Sequence, residues 1–335
     1  MKELSLVQAA REGLNEELKI DTNTCFLKIG NALNKKDNQA GDITVPVEQR
    51  VIPVDQRVIP DEQRVINMPK SQATLISSAT GLALIGMRPI IELNNTEDVY
   101  LSFSALLDQA AKLRYMSGGK LQFPITYLII EDNERCDFNV LHSDSPYSFL
   151  LHGGMKVVIP SCAYDAKGLI VSAIRDNDPV AVFLPTRALG EMGEVPEEQY
   201  SIPLGKADIK RQGTDVTAVA TGHLVAAALS AAKKLEKEGV SVEVLDVRSL
   251  LPLDREALEK SIAKTGRVVI IDDSPITCGF GSFVASIIAE EFFSYLKAPV
   301  KTVARADVPV PFSQPLEEYV IPSEEKLILA IKKII

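Results

Sequence analysis

Several chemistries find little to work with in this sequence. Its four cysteines, Cys25, Cys136, Cys162 and Cys278, lie far apart and form no CxxC pair. That sets aside a zinc ribbon, a dithiol redox motif and a disulfide framework, and leaves small buried residues in a reducing compartment. No apolar run reaches membrane-spanning length, so no membrane is expected. The opening stretch MKELSLVQAAREGLNEELKID carries several acidic residues. It fits neither a signal peptide nor an Arg-rich transit peptide, and points to the cytoplasm, or to an organelle matrix if a transit peptide was removed. Positive charge is also short: 36 Lys and Arg against 45 Asp and Glu leave a net charge of −9. Nucleic acid and anionic membrane are therefore poor main partners. No strand pattern is followed by a full GxGxxG with an acidic residue at the usual distance, which counts against a nicotinamide-binding enzyme; CGFGS near residue 280 lacks the spacing.

What is present describes a globular protein of two domains. The chain has 335 residues, 46% hydrophobic and 24% charged. Leu4, Val7, Ala10, Leu14 and Leu18 recur at helical spacing near the start. Apolar runs at Cys25–Ile29, Pro89–Glu92, Phe123–Ile130 and Met155–Pro160 read as strands, with helices over Ala73–Gly86, from Leu101 onward and over Ala163–Asp176. Residues 190–213 are rich in Glu, Pro and Gly and read as a linker. From Val216 the pattern restarts: VTAVAT, VSVEVLDV, RVVIIDD and Val300–Ala304 as strands, alternating with helices over His223–Glu238, Asp254–Lys264 and Gly281–Phe293. Such alternation predicts α/β architecture with parallel sheets. Residues 47–67 hold a repeat, VEQRVIP, VDQRVIP, DEQRVIN. Proline at the seventh position rules out a coiled coil, so each unit reads as an extended piece closed by a turn.

The chain is organised around residues 64–92, RVINMPKSQATLISSATGLALIGMRPIIE: strand, loop, small-residue helix, strand. This stretch resembles the β subunit of the E1 component of 2-oxo acid dehydrogenases, which typically writes RVIDTPxSExGFxGxAxGxAxxGLRPIxE. AAKLRYMSGG (Ala110–Gly119), DAKGLIVSAIRDNDPVAVFL (Asp165–Leu184) and the C-terminal ADVPVPFSQPLEEYVIPSEEKL are similar to the same family. The resemblance implies two doubly wound domains: a transketolase-like pyrimidine-binding domain over 1–189, the linker, and a transketolase C-terminal-like domain over 214–335. It implies thiamine diphosphate with Mg2+ as cofactor. It also implies an E1 α subunit in an α2β2 assembly, because the motif that holds the diphosphate and metal in these enzymes is absent here and belongs to α. Oxidative decarboxylation of a 2-oxo acid, pyruvate first, with acyl transfer to a lipoyl-E2 core, is the implied reaction.

The departures from the family fall where it touches cofactor and substrate: Asn31, Gln72, Asp98, Glu131 to Asn139, and Pro185 to Arg187. Gln72 stands where the family has the Glu that bonds the aminopyrimidine and passes its proton; an amide bonds but does not exchange that proton at neutral pH. Counting back from Met116 puts Asp98 at the aromatic that stacks on the ring, and Tyr100 takes that place only if the register slips by two. His142, in LHSDS, matches the family's histidine near the substrate and is the remaining catalytic candidate, against a plain hydrogen-bonded loop histidine. His223 reads as a residue near a helix start. The backbone carbonyls of Ile125, Ala173, Ile174, Asp176 and Asp178 correspond to those that hold a structural K+ in relatives. The alternative to a working E1 β subunit is a catalytically impaired paralogue with a structural or regulatory role.

Overall fold

The structure, a computed structural model, describes residues 1–29, 64–93, 96–131 and 144–335. Asn31, Cys136, His142, residues 132–139 and most of the 47–67 repeat lie outside them. In chain order the elements are β1 (Lys2–Ser5), α1 (Leu6–Ile20), β2 (Thr24–Ile29), β3 (Val65–Met68), α2 (Gln72–Leu84), β4 (Arg88–Leu93), α3 (Thr96–Leu101), a π-helical segment (Ala105–Ala111), α4 (Lys112–Met116) and β5 (Thr126–Glu131). They continue with α5 (Tyr147–His152), β6 (Lys156–Val158), α6 (Ala163–Arg175), β7 (Val180–Pro185), α7 (Thr186–Leu189), β8 (Met192–Val195), β9 (Asp208–Arg211), β10 (Val216–Ala220) and α8 (Leu224–Glu236). The last are β11 (Val242–Asp246), β12 (Ser249–Leu251), α9 (Arg255–Thr265), β13 (Val268–Pro275), α10 (Phe280–Glu291), β14 (Lys301–Arg305), α11 (Gln314–Val320) and α12 (Glu324–Lys332).

The chain divides into two compact units: Met1–Ile130 with Gly153–Leu184 and Ala188–Leu204, and Glu131–His152 with Pro185–Arg187 and Gly205–Ile335. In the first, strands run in the order β6-β7-β5-β4-β2-β3, with β2 parallel to both β3 and β4, β4 to β5 and β6 to β7. Both faces of such a sheet are covered, so β7, with all its residues buried, is an unbroken apolar run rather than an alternating one. Leu6, Ala10 and Leu14 of α1 and Leu169, Ile170 and Ala173 of α6 close one face over Phe26, Leu128 and Val182. A capping box starts α1: Gln8 N–H donates to Ser5 Oγ and Ser5 N–H donates to Gln8 Oε1. Gly13 lets α1 approach α6 closely, because a Cβ there would sit 3.0 Å from the Lys167 carbonyl.

In the second unit the order is β14-β13-β10-β11-β9; all pairs are parallel except β9, which joins β11 antiparallel at the edge. Its core gathers Val216, Ala218, Val244, Val269 and Ile271 of the strands with Ala228, Ala231 and Leu235 of α8 and Leu327 and Ile331 of α12. Asp254 caps α9 through Ala257 N–H, and Gly266 ends it in the left-handed region at φ 71°.

Three differences from the sequence reading have physical causes. The stretch 190–213 carries two strands: β8 pairs antiparallel with β1 and β9 extends the second sheet, pairings with segments far away in sequence. Near residue 105 the helix opens into a π-turn, whose wider repeat buries Leu106, Leu107 and Ala110 but leaves Leu113 half-exposed. Of the cysteines, Cys25 is buried, Cys162 is intermediate and Cys278 is exposed in a tight positive-φ turn. Among the described residues no helix is long and apolar enough to cross a membrane.

Candidate functional site

In the first unit, the sheet exposes the carboxyl ends of its parallel strands along one edge, and two helices begin there. Helix α2 starts at Gln72, three residues after β3 ends at Met68, and α3 starts at Thr96 just after β4. Ser71, at the N-cap of α2, gives no side-chain cap; its hydroxyl shares a 2.8 Å hydrogen bond with Thr74 Oγ1. Asp98, in the first turn of α3, is only 5% exposed. Gln72 Nε2 donates to Asp98 Oδ1 at 2.5 Å. The structure thus brings together two residues that the sequence treated as separate departures. Tyr100 is 38% exposed, so it is Asp98 that faces inward beside Gln72. The Ser102 hydroxyl donates to the Asp98 carbonyl and fixes that turn.

Of the five carbonyls assigned from resemblance, those of Ile174 and Asp176 share one donor. Arg88 is the residue that joins them: its Nη1 donates to Ile174 O at 3.0 Å and to Asp176 O at 2.9 Å, and its Nη2 donates to Asn177 Oδ1. Ile125 O accepts from Val180 N–H and Ala173 O accepts from Asp176 N–H. The side chains beside this turn form a charged network. Lys156 Nζ meets both Asp176 oxygens at 2.8 Å and Asp178 Oδ2 at 2.9 Å, and Arg114 pairs with Asp178. Burial pushes the Asp178 carboxyl up, but Lys156 and Arg114 outweigh it and hold it below the usual carboxylate range. Burial likewise pulls Lys156 down while Asp176 and Asp178 raise it above its ordinary value. A cleft of 460 Å³ opens next to the network, lined by Tyr115, Gly118, Gly119 and Met155 as well as by these charges. Sequence reasoning missed Arg88, Arg114 and Lys156, because they sit in segments that read as packing.

A second polar cluster lies at the carboxyl ends of β10, β13 and β14 in the second unit. Arg305, 4% exposed, makes a two-pronged pair with buried Asp273: Nε to Oδ1 at 3.2 Å and Nη2 to Oδ2 at 2.9 Å. The Ser145 hydroxyl accepts from Arg305 Nη2 and donates to Asp273 Oδ2. His223 stands at the N-cap of α8, where the sequence put it. Its Nε2 is buried with no hydrogen bond among the described residues, 3.9 Å from Asp273 Oδ2. Burial pushes the imidazole down to about 4; Asp273 opposes the shift, and Arg187 and Arg305 add to it.

The sign of the resulting pH dependence follows. The folded form holds His223 neutral, whereas the unfolded chain takes up a proton below the ordinary value of 6.5. Stability is full above pH 6.5 and falls between there and about 4, by roughly 3 kcal/mol at most. His223→Asn should flatten that limb of the stability-against-pH curve measured by urea unfolding. An unchanged slope between pH 6.5 and 4 would remove His223 as its cause.

The family described as "Transketolase, pyrimidine binding domain" matches residues 30–191, and "Transketolase, C-terminal domain" matches residues 205–327. The pyruvate dehydrogenase E1 component subunit beta of Bacillus subtilis (strain 168) is 36% identical over 344 residues, 100% of this chain and 99% of the relative. The chain belongs to the E1 β subunit family.

Within that family, this E1 β chain is also 43% identical over 266 residues to the acetoin:2,6-dichlorophenolindophenol oxidoreductase subunit beta of the same bacterium, 78% of this chain and 77% of the relative. Among solved structures it resembles a chain titled "Split gene transketolase, inactive beta4 tetramer", with a TM-score of 0.76 and 23% identity over 99% of this chain and 98% of that one. That likeness concerns the fold, two transketolase-like domains of mixed α/β structure with parallel sheets. Gln72, Asp98 and the Arg88 turn of this E1 β chain all fall inside the match to the pyrimidine-binding domain, and the His223 cluster's Asp273 and Arg305 fall inside the C-terminal one.

Proposed function

We propose that this E1 β chain works as the β subunit of a thiamine diphosphate-dependent 2-oxo acid dehydrogenase, sharing the cofactor and its Mg2+ with an α chain in an α2β2 assembly. The observation that carries this reading is the full-length match to a pyruvate dehydrogenase E1 β subunit, in a chain that keeps a polar pair at the ligand-binding edge of its first sheet. Tyr115 and Met116 stand exposed at the end of α4, in keeping with a partner surface there. Pyruvate is the first substrate to test and acetoin the second, given the names of the relatives. A lipoyl-E2 core is the acceptor of the acyl group, and the cytoplasm, or an organelle matrix, is the compartment.

The residues present fit the cofactor's ring as hydrogen-bond partners. With Nε2 committed to Asp98, Gln72 offers Oε1, an acceptor. Bound thiamine diphosphate supplies the carbanion-forming centre for decarboxylation. Gln72 orients but does not exchange a proton near neutrality, so proton movement falls to another group, and His142 remains the candidate. The carbonyls of Ile125, Ala173, Ile174, Asp176 and Asp178 are assigned to a potassium ion: each carbonyl oxygen has two lone pairs, and a bond from Arg88 uses one.

The second reading, a structural or regulatory subunit, is favoured by the amide at position 72. Calorimetric titration of thiamine diphosphate–Mg2+ into the chain co-purified with its α partner separates the two. The catalytic reading expects one saturable site per β chain with α present and none on β alone, with tighter binding in K+ than in Na+ buffer. An intact heterotetramer that takes up no cofactor leaves the structural reading in place.

A further inference from the structure

The Gln72–Asp98 pair carries more than a place for each residue. Strands β2 and β4 are neighbours, yet the chain leaves β2 toward β3 on one side and leaves β4 toward β5 on the other. That is a topological switch point, and in open α/β sheets ligands bind in the crevice at the carboxyl ends of such strands. Asp98 follows β4 directly, and Gln72 opens the helix that returns from β3 to β4. A carboxylate only accepts, so the group it meets at 2.5 Å must be the amide N–H; this fixes which way round the Gln72 amide lies. The buried charge needs that donor. The opposite end of the amide, Oε1, is then turned away from Asp98.

We propose that Asp98 is a positioning residue that locks the Gln72 amide with its N–H inward, so the pocket presents an acceptor oxygen backed by a negative charge and takes a ligand that brings an N–H to that point, such as a protonated nitrogen heterocycle. The carboxylate strengthens Oε1 as an acceptor by polarising the amide. A ligand offering a bare ring nitrogen at the same place meets oxygen against lone pair, so an aminopyrimidine must bind there with that nitrogen protonated. The identity of the heterocycle as thiamine diphosphate rests on the proposed function above; the orientation of the amide does not.

Four forms test it, each co-purified with the α partner: wild type, Gln72→Glu, Asp98→Asn and the double exchange Gln72→Glu/Asp98→Asn. Thermal unfolding at pH 5 and pH 8 is read without ligand, and thiamine diphosphate–Mg2+ binding is read by calorimetry. Gln72→Glu alone sets two carboxylates against each other, tolerable only with a shared proton. It should lose roughly 5 °C at pH 8 and less at pH 5. The double exchange, again one carboxylate and one amide, should recover most of that loss. Asp98→Asn keeps the fold but frees the amide to turn over, and should weaken cofactor binding roughly tenfold, the factor carried by one hydrogen bond to a charged group.

Gln72→Glu melting like wild type at both pH values overturns the pairing. Asp98→Asn binding cofactor as tightly as wild type overturns the positioning role. If wild type binds no thiamine diphosphate while the four melting curves follow the expected pattern, the cofactor assignment fails and the orientation of the amide is upheld.

Discussion

Lys167→Ala is expected to destabilise the first unit by about 3 kcal/mol or more, the scale for removing one member of a buried charge pair. Lys167 is 0% exposed, midway along α6. Its Nζ donates to Glu12 Oε1 at 2.7 Å, to Glu16 Oε1 at 2.8 Å, and to the carbonyls of Pro196 and Glu198 at 3.2 Å. The Tyr200 ring lies 5.5 Å from it. One ammonium group therefore ties α6 to α1 and to the segment after β8. Its removal leaves two carboxylates and two carbonyls without their donor, in addition to a cavity. The melting temperature should fall by roughly 6 °C, and hydrogen exchange in α1 should speed up first. The network also has a pH signature. Burial pushes the Glu12 carboxyl up, but Lys167 and Lys2 outweigh it and hold it below its ordinary value of 4.5. The contribution is thus complete above pH 4.5 and is lost as pH falls through the depressed folded value. A variant that melts within a degree of wild type at pH 7 would show that water replaces the ammonium without loss.

Arg305→Leu is expected to cost the second unit about 4 kcal/mol. Arg305 ends β14, and its two-pronged bond to Asp273 on neighbouring β13 is closed over by Ser145. Burial pushes the Asp273 carboxyl up; Arg305, helped by Arg187, reverses this and holds it below its ordinary value. Without Arg305 the buried carboxylate loses its two-pronged cationic partner and sits next to a neutral imidazole. Arg305→Lys should recover little, because an ammonium lacks the planar fork. The pair Arg305→Leu/Asp273→Leu should be more stable than Arg305→Leu alone, since apolar groups of similar volume replace a buried ion pair with small loss. Urea unfolding of wild type, Arg305→Leu, Asp273→Leu and the double variant gives the cycle. Equal stability of the single and double variants would mean that Asp273 finds another donor.

The sheet architecture was legible in the sequence because each strand of the core is a local apolar run and each helix a local period. VTAVAT, RVVIIDD and VAVFL needed no knowledge of their neighbours. The resemblance across residues 64–92 also singled out Gln72, which the structure sets beside Asp98. Long-range pairing was not legible. Gln72 and Asp98 are 26 positions apart, and nothing local says that one donates to the other. Read singly, Asp98 is a costly buried charge and Gln72 a lost carboxylate; read as a pair, each explains why the other is tolerated. Arg88 was hidden in the same way, since its acceptors lie 86 and 88 positions on. Residues 192–195 escaped because a strand of four residues, MGEV, is too short to show a period, and its pairing partner is residues 2–5.

That last pairing bears on how the molecule comes to be made. Strand β1 has no partner until Met192–Val195 exist, and α1 packs on α6 and shares Lys167 with it. Residues 1–20 are therefore translated long before the segments they pair with, and are among the last of the first unit to find their place. At ordinary elongation rates, about 5–20 residues per second, they wait on the order of ten seconds or more with Leu6, Ala10 and Leu14 uncovered. Contacts of such sequence separation are slow to form, so the apolar face of α1 stays uncovered until α6 and β8 have been made, a natural handle for a ribosome-bound chaperone.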